Sequence, residues 1–374
     1  MLNVTISTCG VMKDLKAGEK YDVKSPGFPY EYEGENHCKW EIKGYYVTTV
    51  NCSIEMPVYH DSCTEENFSI LFDGENDAQQ YCGRGTIFLK GINPTIKLDT
   101  PRNSRKGRFS CEIQAENKTN CKCGWKKETR IVGGTETGVN EYPMMCGLVD
   151  STKNGNESIF CGGTIIAESY VLTAAHCVKD RDISTIGVVV GEHDVTTGTE
   201  TNATKLFRIV NCIMHEHYND NHNDNDIAIC KINGTIEYSA EVGPACLPFQ
   251  HRDDTFGGDI VTALGWGMTE FGGSKAHTLQ KVKLNVINPG DCAKYDSDVT
   301  DKNICTYTQG KDTCQMDSGG PDLWENPTTS RQIICGITSS GRGCGSNPAI
   351  NTRVGKFIGW IVSVTRDANY CQVE

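Results

Sequence analysis

Twenty cysteines in 374 residues constrain this chain more than any other feature of it. So many thiols do not persist in a reducing compartment unless they bind metal, and C-x₂-C pairs with matching partners are missing. The cysteines therefore read as the disulfide framework of an exported protein. Seven N-x-[ST] sequons, at Asn3, Asn51, Asn67, Asn117, Asn156, Asn202 and Asn233, agree with export. The formal charge of −12 disfavours nucleic acid as a partner, because such binders need a clustered basic footprint. No apolar run reaches the ~18 residues of a membrane span. The opening "MLNVTISTCG" has neither a basic region nor an apolar core, so a signal peptide is expected to have been removed or left out.

A chain of this length holds two or three domains. Residues 1–115 read as short strands separated by turns: "YDVKSPGFPY" turns on Pro and Gly, "CKWEIKG" and "YYVTTVNCSIEM" alternate, and "GRFSCEI" closes the block. A small antiparallel sandwich follows. Residues 116–130, "ENKTNCKCGWKKETR", are polar and basic, with two cysteines one residue apart, and read as a linker held by disulfide. From Ile131 to residue 374 the strands lengthen between Gly-rich and acidic loops. One helix is expected near the end, where Val354, Phe357, Ile358, Ile361 and Val362 fit a 3.6-residue period. The fold class is all-β, in two unrelated modules.

A serine nucleophile needs a base within hydrogen-bond reach and a third group that holds the base in one tautomer. His176 in "VLTAAHC", Asp226 in "NDIAI" and Ser318 in "MDSGGP" occur in the order His, Asp, Ser that one branch of serine hydrolases uses. With these runs, residues 131–374 resemble a trypsin-like, chymotrypsin-fold serine protease. The resemblance implies two six-stranded barrels with the triad between them, His176 as general base, Asp226 as its orienting partner and Ser318 as nucleophile.

It also gives the linker a meaning. "TRIVGG" resembles an activation site, with cleavage after Arg130 by an activating protease and a new α-amino group at Ile131 pairing with Asp317. Asp312 matches the acidic floor of the primary specificity pocket, which implies protein substrates cut after Arg or Lys. Ser339 and Gly341 match the strand that pairs with substrate, and Ala349 a wall of the pocket. The backbone N–H groups of Met316 and Ser318 would form the oxyanion hole.

Several residues depart from the family pattern. Met316 replaces a glycine, and its Cβ penalises backbone angles that glycine tolerates. Ser340, Ala349 and Asn351 stand where tryptophan, glycine and tyrosine are usual. Asp322 places a carboxylate where the family has an apolar strand residue, and a buried carboxylate without a partner is costly. A catalytically impaired homologue, acting as a binding or regulatory protein, is therefore the alternative reading.

Residues 1–115 resemble a CUB domain through "SPGFPYEYEGENHCKW", "SIEM", "YCG" and "GRF". Together with the "CKCGW" linker, the whole chain is similar to insect proteases, including those of bee and wasp venom. The resemblance implies the bridges Cys9–Cys38 and Cys63–Cys82, with Cys52–Cys111 as a third. In the protease module it implies Cys161–Cys177, Cys292–Cys305 and Cys314–Cys344. Cys246 would hold Cys121 or Cys123, and neighbouring strands would join Cys212 to Cys230; Cys146, Cys335 and Cys371 match no template. A CUB module implies a bound protein or glycan. No cofactor is required for catalysis, but calcium is an option at Glu55, Glu66 and Asp99 in the CUB module and at Glu192 and Glu200 in the protease.

Overall fold

In the strand Thr48–Met56 buried and more exposed residues alternate along its whole length, the pattern of a sheet with one covered face. That regularity builds the first unit. The computed structural model describes residues 9–59, 62–63, 65–117, 121–127, 136–150, 158–197, 200–220, 224–267, 275–308, 318–341 and 348–372. Its contacts divide into one unit of Met1–Thr119 with Phe357–Asp367 and a second of Asn120–Lys356 with Ala368–Glu374.

In the first unit a five-stranded sheet runs in the order Val11–Asp14, Asn36–Lys43, Thr95–Thr100, Asn67–Leu71, Gln79–Tyr81. A four-stranded sheet runs Lys20–Lys24, Arg108–Ala115, Thr48–Met56, Gly83–Gly91. One hydrophobic cluster draws on strands of both sheets, including Trp40, Val50, Phe68, Leu98 and Phe109. Phe109 meets Trp40 edge-on at 5.7 Å and Phe68 at 4.4 Å, ring to ring. Cys52 and Cys111 face each other across adjacent strands and are bonded, as are Cys9–Cys38 and Cys63–Cys82.

The second unit contains two closed barrels. The first is made of Met145–Asp150, Ser158–Ala167, Tyr170–Thr173, Ile186–Val190, Lys205–Met214 and Ala228–Ile232. The second is made of Ile260–Gly265, Gln280–Ile287, Asn303–Tyr307, Pro321–Glu325, Gln332–Gly341 and Ala349–Arg353. Numbered by sequence within each barrel, both close in the same order, 1-2-3-6-5-4. Closure pairs every edge, so the long apolar strands present no free template for aggregation. The stretch "IGVVV" at Ile186–Val190 is buried throughout. A short helix, Ile358–Val364, which belongs to the first unit by its contacts, buries Ile358, Trp360, Ile361 and Val362.

Part of the linker belongs to the second unit. Cys123 is bonded to Cys246 and Cys121 to Cys371. Between them and the barrel, Gly124 N–H donates to Pro244 O and Gln332 N–H to Gly124 O, both at 2.7 Å. Gly124 has φ +68°, and a Cβ there would lie 2.6 Å from Gln332 O, so only glycine allows this approach. Trp125 fills the space over Gly243 and donates its indole N–H to Ala240 O.

Cys161–Cys177, Cys292–Cys305 and Cys212–Cys230 are also bonded. Cys146 and Cys335 are free and fully buried, where loss of hydration pushes both thiols upward in pKa and leaves them inert. Cys314 and Cys344 lie outside the described residues.

Candidate active site

Asp226 lies just before the last strand of the first barrel and is completely buried. A carboxylate in such a place must have its oxygens satisfied. Its Oδ1 accepts the backbone N–H of His176 at 2.9 Å and its Oδ2 lies 2.7 Å from His176 Nδ1. The Ser339 hydroxyl donates to the same Oδ2 at 2.5 Å, and Thr352 Oγ1 donates to the Asp226 carbonyl at 2.8 Å. Ser339 and Thr352 come from the second barrel, so the carboxylate is held by both halves of the unit.

His176 lies in the single helical turn Ala175–Val178 after the third strand of the first barrel. Its neighbour Cys177 is anchored to Cys161. The imidazole is 28% exposed, while Asp226 is 0% exposed, so one edge of the ring is locked and the other is open. A carboxylate facing Nδ1 demands a proton there. Nε2 is then the lone-pair nitrogen, free to act as a base.

Ser318 begins the turn into the strand Pro321–Glu325 and is half-buried. Its backbone is pinned from two sides: Gly162 N–H donates to the Ser318 carbonyl at 2.9 Å, and Gly319 N–H donates to Thr338 O at 2.8 Å. Gly319 adopts φ +83°, and a Cβ there would come within 2.3 Å of Thr173 Oγ1 and 2.7 Å of Gly162 O. The "SGG" run is thus a steric requirement of packing the serine turn against the first barrel.

A family profile for trypsin matches residues 131–361, and one for the CUB domain matches residues 9–126. The chain belongs to the trypsin family of serine proteases. It is 43% identical to "Venom serine protease 34" of Apis mellifera over 384 aligned residues, covering 100% of this chain and 92% of that protein. It is 43% identical to "Venom serine protease" of Polistes dominula over 268 residues, covering 70% of this chain and 95% of that one. Trypsin-1 of Astacus astacus is 36% identical over 242 residues, 62% of this chain and 98% of the relative. The protein is accordingly a trypsin-like serine endopeptidase with an N-terminal CUB domain, and its substrates are proteins.

Among trypsin-family features expected from the sequence, Arg130, Ile131, Asp312, Met316 and Asp317 lie outside the described residues. So do the side chains of Ser340 and Gly341. Gly341 is paired in register with buried Ala349 at the end of the strand pair that also carries Ser339 and Asn351.

Asp322 requires a correction to the expectation of a partnerless buried charge. Asn351, 0% exposed like Asp322 itself, donates its Nδ2 to Asp322 Oδ2 at 2.6 Å. The sequence flagged both residues, but separately. Their separation of 29 positions carries no signal that they meet. Thr352 was missed altogether, since a threonine in a β-strand is unremarkable in sequence.

The acidic residues expected near calcium have varied surroundings. Glu55 is paired with Arg84 and Arg108, and Asp99 with His37. Glu66 is buried and accepts from Tyr32 at 2.5 Å, Tyr59 at 2.8 Å and the Arg105 N–H at 2.8 Å. Burial pushes its carboxyl upward, but these hydrogen bonds prevail and hold it below the ordinary value. Among the described residues these three acids are not grouped within ligand distance of one another.

Glu192 and Glu200, in contrast, share a hydrogen bond. Burial first, and Glu200 second, push Glu192 up to about 7. Glu200 is held at about 2, since donors led by the Asp194 N–H outweigh the opposing effect of burial. Two carboxylates in contact fit a cation that would neutralise both.

Of the sequons, Asn51, Asn117, Asn202 and Asn233 are exposed. Asn67 is half-buried with its Oδ1 enclosed and unpartnered. Asn3 and Asn156 lie outside the described residues. No helix among the described residues is long and apolar enough to cross a membrane.

Proposed function

We propose that the chain is a secreted zymogen, opened between Arg130 and Ile131 by an activating protease, that hydrolyses peptide bonds after Arg or Lys through His176, Asp226 and Ser318. The observation that carries this reading is the 2.7 Å contact between His176 Nδ1 and the buried Asp226 carboxylate. It leaves Nε2 as a base facing outward, in the unit that also presents the pinned Ser318.

In the proposed reaction the Ser318 hydroxyl attacks the scissile carbonyl carbon while His176 Nε2 takes its proton. Asp226 stays ionised and stabilises the imidazolium. The tetrahedral oxyanion is received by the N–H groups of Met316 and Ser318. The same imidazolium then gives its proton to the departing amine, leaving an acyl ester on Ser318, which water cleaves by the reverse path. Asp312 would take the guanidinium or ammonium of the substrate. Glu192 and Glu200 would hold calcium as a structural ion. The CUB domain would recruit a protein or glycan.

Secretion is supported by the eight disulfides among the described residues and by likeness to two venom proteases, and the venom setting is extended to this chain as part of the proposal. The test is hydrolysis of arginyl, lysyl and apolar peptide amides by protein cleaved at Arg130 and shown to begin at Ile131. Turnover of the first two, abolished by Ser318→Ala, is the expected result. No turnover of any of them would replace the enzyme reading with that of a binding protein on a protease fold.

A further inference from the structure

Asp322, Asn351 and Ser339 of the second barrel and Asp226 of the first are joined by one run of hydrogen bonds that passes through the backbone N–H of Ser339. Asn351 donates Nδ2 to Asp322 Oδ2 at 2.6 Å, and its Oδ1 accepts the Ser339 N–H at 3.3 Å. Ser339 then donates its hydroxyl to Asp226 Oδ2 at 2.5 Å. The amide of Asn351 can satisfy a carboxylate and an N–H together in one orientation alone, with nitrogen toward Asp322 and oxygen toward Ser339. Asp322 therefore dictates which way Asn351 points, and Asn351 in turn fixes the backbone of Ser339.

Space has been made for this arrangement. A Cβ at residue 336, the cross-strand neighbour of Asp322, would fall 2.6 Å from Asp322 Oδ2, so glycine there gives the carboxylate its room. Asp322 Oδ1 has no hydrogen-bond partner, so the group is buried with a single side-chain donor. Such burial costs stability. The return is orientation.

We propose that Asp322 and Asn351 are positioning residues for the proteolytic reaction, a buried brace that aims Ser339 at Asp226 and so holds the His176–Asp226 pair in register. The inference rests on the proposed roles of His176, Asp226 and Ser318.

The test uses full-length protein activated at Arg130, as wild type, Asp322→Ala, Asn351→Ala, the double variant, Asp322→Asn and Ser318→Ala. Three quantities are read: kcat and KM on an arginyl amide, and the low-field proton resonance of His176 Nδ1–H. A misaimed Asp226 lowers kcat roughly 10-fold or more in each alanine variant, within the ~10²-fold that small misplacements cost, while KM stays put. The double variant is no worse than the worse single, because both break one linkage. Asp322→Asn keeps an oxygen for Asn351 and recovers most of kcat. The resonance shifts in the alanine variants and returns in Asp322→Asn.

If Asp322→Ala does not fold, Asn351→Leu, which fills the site without bridging it, takes its place with the same expectation. Unchanged kcat and resonance, or single effects that multiply in the double, overturn the brace. Should wild type match Ser318→Ala in giving no turnover, the functional reading fails, and the resonance alone still decides whether the brace holds Asp226.

Discussion

Asp226 Oδ2 accepts from His176 Nδ1 at 2.7 Å and from the Ser339 hydroxyl at 2.5 Å, so one buried oxygen ties the histidine of the first barrel to a strand of the second. Replacing that oxygen with an amide nitrogen turns an acceptor into a donor. In Asp226→Asn the imidazole is expected to adopt the other tautomer, with its proton on Nε2, and to lose its function as a base. The expected loss in kcat is about 10⁴-fold, the scale known for this change in a Ser-His-Asp triad. Equal kcat in wild type and variant on an arginyl amide would remove Asp226 from the mechanism.

The two cysteines of "CKC" reach different partners, Cys371 and Cys246. After cleavage at Arg130 either bridge alone keeps the CUB-bearing fragment attached. On a non-reducing gel, cleaved wild type and the pairwise Cys→Ser removals of one bridge are expected to run as a single species. Removal of both bridges is expected to release two fragments. Release after loss of one bridge would show that the other does not form.

Burial holds the Asp322 carboxyl at about 6, the Asn351 hydrogen bond opposing part of the rise. An unfolded aspartate titrates near ~3.9, and a raised folded value means that the native state binds its proton more tightly. The associated stability is fully present below about pH 4 and is lost as pH rises through about 6. A difference of about two pH units corresponds to about 3 kcal/mol. Asp322→Asn cannot lose that proton, so its stability relative to wild type is expected to rise by about that amount between pH 4 and pH 8. Urea unfolding at both pH values, in a Ser318→Ala background to prevent autolysis, checks the sign. A constant difference would mean that Asp322 is not the titrating group.

The contact between the carboxyls of Glu192 and Glu200 leads to a calcium prediction. Calcium at ~1 mM, the range of extracellular sites, is expected to raise the melting temperature of wild type and to leave a Glu192→Gln, Glu200→Gln variant unmoved. An identical shift in both would place calcium elsewhere.

What could be read from the sequence was local. "TAAHC" and "SGGP" announce their chemistry because the residues that shape each turn are adjacent: Gly319 must be glycine where Thr173 and Gly162 press against it. Alternation and turn residues likewise announced the sandwich strands, since periodicity is a property of neighbouring positions, whereas the barrels were implied by the family resemblance. Pairing across the chain was another matter. Composition called for disulfides, but whether Cys121 or Cys123 met Cys246, and that Cys146 and Cys335 formed no bridge, was decided by which strands closed against which.

Charge burial was equally illegible. Glu66, expected only as a calcium option, is buried and accepts from two tyrosines, and Asp322, expected without a partner, is joined to Asn351. By itself the sequence carried the CUB and trypsin likenesses and the call for disulfides. Tertiary structure alone decided how Asp226 is held, because the groups that hold it, His176, Ser339 and Thr352, lie up to 126 positions from it and converge when the two barrels pack.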